Sequence, residues 1–102
     1  MTVREQIQER YPNPLPDSRA SENPCGYCVG GAATMYAFGK TASHWPTSEE
    51  LVDTLLQLNP GLTDYLDTAF TLADDIIDNN DAGRMDEAWD YLEEALTWTP
   101  RR

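Results

Sequence analysis

The chain has 102 residues, 40% of them apolar and 25% charged, with 18 Asp and Glu against 7 Lys and Arg and one histidine. A single small domain with a true core follows, since a chain of this size takes roughly two-thirds of its unfolded surface out of water. The net charge of −11 excludes duplex DNA and anionic membranes as direct partners, because phosphate binding needs a basic surface, and no apolar run approaches the ~20 residues of a membrane span.

Thr2 followed by Glu5 matches a capping box, and Val3, Ile7 and Tyr11 recur at four-residue spacing, so a short helix is predicted over about residues 3–10. The opening Met1-Thr2-Val3-Arg4-Glu5-Gln6 lacks the basic-then-apolar order of a secretory leader. The cysteines, Cys25 and Cys28, are too few for a secreted disulfide scaffold, and the reading is of a cytoplasmic protein with reduced thiols. Between Tyr11 and Pro24 the prolines Pro12, Pro14, Pro16 and Pro24 fix φ and remove amide donors, which predicts an extended connector. Either that segment lies over the core or the first helix is an arm on a semi-rigid tether. The division expected is therefore 1–22, short helix plus connector, and 23–102, the helical domain.

Asn23-Pro24 reads as a helix start, with Asn as cap and Pro at the first helical position. From Cys25 to Gly39 no residue is charged and both faces of the wheel are apolar, so about 24–38 is expected to be a central helix buried between layers. Gly30 and Gly31 cost helix stability, which suggests that another backbone comes close there. Thr47 with Glu50 makes a second capping box ahead of a stripe of Leu51, Leu55, Leu58 and Leu62, and Asn59-Pro60-Gly61 ends that helix. Thr63 is expected to cap a fourth helix with Tyr65, Leu66, Ala69, Ala73, Ile76 and Ile77 inward and Phe70 at the margin. After Asn79–Gly83 a last helix, about Arg84 to Trp98, turns Met85, Ala88, Trp89, Leu92, Ala95 and Leu96 inward. No stretch alternates with period two. The fold class is all-α: a small bundle of about five helices, the last three antiparallel neighbours.

Ala88, Leu92, Ala95 and Pro100, with Leu72 one helix earlier, resemble part of a tetratricopeptide unit over about 30 residues. Ile76 and Asn79 stand where that repeat has a small residue and an aromatic, and the period has no second copy. A lone unit cannot bury its own face, so the pattern reads as the packing of a helix hairpin.

Cys25-Gly26-Tyr27-Cys28 resembles the redox motif of thioredoxin-like proteins, which place it after a β-strand; here a proline connector precedes it. At a helix N-terminus such thiols would be acidified; as small apolar residues they would simply be buried beside Val29 and Ala32. A metal site would need further ligands, and His44 with a carboxylate such as Asp17 or Glu22 is the sole combination in reach. His44 reads as a surface loop residue. Asp78 to Asp86 has calcium-loop residues at several positions, but Ala82 and Trp89 replace required oxygens, leaving an interhelix turn with Asp/Asn caps.

Asp67, Asp74 and Asp78 share one face of the fourth helix, and Glu87, Tyr91, Glu94 and Trp98 share the face of the last helix opposite its core stripe. A charge run is usually a solvated face, but two aromatics seven residues apart among carboxylates also suit a protein partner of positive charge. No phosphate loop, serine-hydrolase motif or zinc-protease helix is present, and no cofactor is implied. The leading expectation is a non-enzymatic interaction or regulatory module that binds a basic protein through its acidic C-terminal helices. The alternative is a thiol-redox or metal-binding protein using Cys25, Cys28 and His44. The charge is itself divided: Met1 to Ser48 is neutral, whereas Glu49 to Pro100 carries fourteen acids against Arg84 alone.

Overall fold

A computed structural model describes residues 2–15, 26–39 and 41–100 of the chain. They form five α-helices: α1 Val3–Arg10, α2 Val29–Phe38, α3 Ser48–Leu58, α4 Leu66–Asp81 and α5 Met85–Thr97, with a 3-10 turn Pro60–Leu62 between α3 and α4. Among the described residues there is no strand, and no helix is long and apolar enough to cross a membrane.

The two capping boxes form as the sequence predicts. Thr2 Oγ1 accepts the Glu5 amide and the Glu5 carboxylate accepts the Thr2 amide; Thr47 and Glu50 repeat the exchange at α3. The starts of α2 and α4 differ from expectation, while α5 begins at Met85 after Arg84, as expected. Thr63 does not cap α4: its hydroxyl donates to Pro60 O at 2.7 Å inside the 3-10 turn, and α4 begins at Leu66 after an uncapped Tyr65. The central helix begins at Val29, with Cys28 as its N-cap, rather than at Asn23-Pro24. Residues 26–28 are extended because their main chain bonds outward: Leu15 N donates to Tyr27 O at 2.7 Å and Cys28 N to His44 O at 3.4 Å. Asn23, Pro24 and Cys25 lie outside the described residues.

One core runs through all five helices, built from Ile7, Val29, Ala32, Leu51, Leu55, Ala69, Leu72, Ile76, Trp89 and Leu92, among others. α2 is central as expected: it touches α1, α3, α4 and α5, and every residue from Val29 to Met35 is buried. Small side chains make that possible. A Cβ on Gly31 would overlap the His44 carbonyl, so the loop backbone crosses α2 where the sequence placed its glycine pair. Beside it the hydroxyls of Thr34 and Thr54, both buried, lie 2.9 Å apart and tie α2 to α3.

α1 sits on this core. Ile7 is fully buried, Tyr36 Oη donates to Gln6 Oε1, and Arg4 Nη1 lies 2.9 Å from both Asp90 Oδ1 and Glu93 Oε2 on α5. Val3, expected on the same stripe, is 38% exposed, since one short helix anchored through Ile7 and Tyr11 cannot bury its first turn as well. On α4, Ala69, Ala73 and Ile76 point inward as expected and are joined by Leu72 and Asn80, whereas Tyr65 and Leu66, also expected inward, are exposed at its start; Phe70 stands at the margin.

Candidate functional site

Two places collect the chemistry-bearing residues: the N-terminal end of α2 and the seam between α4 and α5.

At the first, Cys28 accepts the Gly31 amide through Sγ at 3.2 Å, so the thiol satisfies one of the free donors that open a helix. Burial pushes this thiol up to about 11, and the amides of Gly31 and Gly30 offset only part of that. A thiol held protonated at neutral pH is a poor nucleophile and a poor metal ligand. Cys28 forms part of the wall of a recess of about 220 Å3 with Trp45, Pro46, Ile77, Asn80 and Asp81.

His44 is half-buried rather than a plain surface residue, because its loop packs on the glycine side of α2. Its carbonyl faces both the Cys28 amide and, at 3.7 Å, the Cys28 thiol, while its ring nitrogen Nδ1 lies 3.2 Å from Gly26 O. The two residues thus meet through main chain, not as an imidazole–thiol pair. Cys25, Asp17 and Glu22 lie outside the described residues; among those described, no three His, Cys, Asp or Glu side chains converge to hold a metal ion.

The residue here that sequence reasoning missed is Asn80. It is 1% exposed, its Oδ1 accepts the Val29 amide at 2.9 Å, and its Nδ2 donates to Leu15 O at 3.0 Å. One amide side chain on α4 therefore closes the first turn of α2 and pins the connector. The turn-forming run Asp78–Gly83 hid this role: α4 continues through Asp81, and Gly83 at φ +81° supplies the reversal.

At the second place, α4 and α5 pack side by side and leave a groove of about 330 Å3 lined by Asp67, Thr68, Thr71, Leu72, Asp75, Tyr91, Glu94 and Trp98. A recess of about 230 Å3, lined by Glu87, Asp90, Tyr91 and Glu94, continues it along α5. Five of the seven acidic-face residues singled out from the sequence thus lie together: Asp67, Glu87, Tyr91, Glu94 and Trp98. Asp74 and Asp78 are outside the groove. Asp74 accepts the Ser48 hydroxyl at 2.6 Å on the α3 side, and its place is taken by Asp75. On a 3.6-residue helix a spacing of seven drifts back by about 20° while a spacing of eight moves forward, and the groove lies on the forward side.

Tyr91 and Trp98 do not stand out from the face opposite the core, as the helical wheel implied. Both are half-buried against the core edge and form the groove floor with Leu72. Trp98 lies just past the end of α5, so its position is set by partners rather than by helix geometry. Its ring packs on Tyr65 with centroids 4.7 Å apart, and its carbonyl accepts Asn59 Nδ2 at 2.9 Å. No Lys or Arg among the described residues pairs with Asp67, Asp75, Glu87 or Glu94; Arg4 takes Asp90 and Glu93.

The fold and this groove define a small all-helical domain with an acidic-rimmed, aromatic-floored channel. No family model, no curated protein and no solved structure matches the chain.

Proposed function

We propose that the chain is a small, cytoplasmic, non-enzymatic interaction module that receives a positively charged protein in the groove between α4 and α5. The observation that supports this reading is the groove itself: Tyr91 and Trp98 on its floor, and Asp67, Asp75 and Glu94 around it with no Lys or Arg among the described residues paired to them. Half-buried Tyr and Trp offer large contact area at little entropic cost, and a rim of unmatched carboxylates steers a basic partner and repels nucleic acid. The thiol reading has less support, since the Cys28 sulfur caps α2 and burial keeps it protonated.

The test is a paired pull-down with the wild-type chain and the Tyr91→Ala/Trp98→Ala variant, each shown by circular dichroism to be helical. The reading expects partners held by the wild type to be lost by the variant and released by added salt. Equal retention by both proteins would sink it.

A further inference from the structure

We infer that the occupant of the α4–α5 groove is an amphipathic helix of the partner that presents an arginine one turn before an aliphatic anchor; this rests on the basic-partner reading above. The molecule already receives one helix on α5 in that manner. α1 brings Arg4 to Asp90 and Glu93, and one turn further along the same face Ile7 is fully buried. Asp90 also lines the recess that continues the groove, so α1 and the proposed occupant lie on the two flanks of one acidic helix.

Three features favour a helix over other basic ligands. The acids and floor of the α5 side recur at Glu87, Tyr91, Glu94 and Trp98, a spacing of four, three and four that another helix can match with its own side chains. From Glu87 to Trp98 the channel follows α5 for about 16 Å at 1.5 Å per residue, roughly three helical turns. Finally, Leu72, Tyr91 and Trp98 form a floor that a polyamine or metal cation would leave uncovered. Arginine is favoured over lysine because one guanidinium can bridge two carboxylates, as Arg4 does at 2.9 Å to each, and can lie flat on an aromatic ring.

The experiment titrates the full chain into three fluorescently labelled peptides of about 18 residues, long enough to populate a helix. The first carries Arg and Leu on one helical face, one turn apart. The second has the same composition with Arg and Leu placed on opposite faces, and the third has Lys for Arg. Binding of the first is expected to be about tenfold or more tighter than that of the second and several-fold tighter than that of the third. It should weaken several-fold in Glu94→Gln, more in Tyr91→Ala, and stay unchanged in Asp53→Asn, which removes the same charge from exposed α3 surface. Equal binding of the first two peptides would overturn the helical occupant and leave the basic-partner reading standing. Equal binding of the first and third would overturn the choice of arginine. If none binds, the basic-partner reading falls too, and binding that Glu94→Gln and Tyr91→Ala both leave intact would overturn the groove as the site. Glu94 is exposed, so its variant keeps the comparison valid even if Tyr91→Ala is destabilised.

Discussion

The N-terminal end of α2 and the α4–α5 groove both gather polar and aromatic groups, but they treat them in opposite ways. Around α2 the polar atoms are consumed by the fold: Asn80 bonds Val29 and Leu15, Cys28 bonds Gly31, Thr34 meets Thr54. Among the described residues no buried side-chain nitrogen or oxygen lacks a partner. In the groove, four carboxylates pair with no Lys or Arg among the described residues, and two aromatic rings are only half covered. Interior polar groups must be satisfied because an unmade hydrogen bond there has no water to replace it. Groups that the fold leaves unmatched at the surface are the ones free to recognise something else. The cysteine that caught attention in the sequence belongs to the first kind, and the acidic helices belong to the second.

That contrast predicts a graded series of effects. The largest is at Gly31: Gly31→Ala forces its new methyl against the His44 carbonyl, which is backbone and cannot rotate away. A loss of about 3 kcal/mol or more is expected in urea unfolding, whereas a loss under about 1 kcal/mol would show the loop to be loosely held. Asn80→Ala comes next. It strands the Val29 amide and the Leu15 carbonyl, costing about 2–4 kcal/mol, and the Val29 amide should lose its hydrogen-exchange protection. Unchanged protection there would mean that the start of α2 is held by packing alone.

A third effect is pH-dependent. The Cys28 thiol is raised from an ordinary 9.0 to about 11 by burial, so above pH 9 the unfolded chain releases a proton that the folded one keeps. Stability is therefore full below pH 9 and is lost as pH rises toward 11, by about 2–3 kcal/mol from this group. Cys28→Ala should flatten that part of the thermal stability profile; an equally steep profile in the variant would show the thiol to be water-accessible. The smallest effects belong to the groove. Glu94→Gln should change stability by no more than about 0.5 kcal/mol, and upward, because it removes a like-charge repulsion, whereas Glu87→Gln should be close to neutral, since that carboxylate also sits in the first turn of α5 where the helix dipole favours it. Added salt should then raise the melting temperature of the wild type more than that of the double variant. A clear destabilisation by either substitution would place that carboxylate in the fold's own network and weaken the contrast.

Much of this was open to reading in advance where the signal is local. Thr2 with Glu5 and Thr47 with Glu50 form their boxes as written, since a capping box closes within four residues. The uncharged run around Gly30-Gly31 marks the buried helix and its close crossing. The helix starts at Val29 and Leu66 could not be read so directly. They are fixed by Tyr27 O bonding Leu15 and by Thr63 bonding Pro60, contacts that no helix-start signal in the sequence carries. In the groove, Asp67, Glu87 and Glu94 were legible from charge and spacing, but the choice of Asp75 over Asp74 turned on which side of α4 meets α5.

The sequence by itself determined an all-helical chain with one apolar central helix and its acidity gathered in the C-terminal half, because composition and periodicity are properties of each segment alone. Only the tertiary structure decided that Asn80 is an interior clamp, that Cys28 is a cap, and that Tyr91 and Trp98 form a floor between two helices. Those roles depend on the rotation of one helix against another. That angle is set by the summed packing of Gly31, Leu72, Ala73, Ala88 and their neighbours, and no single segment carries it.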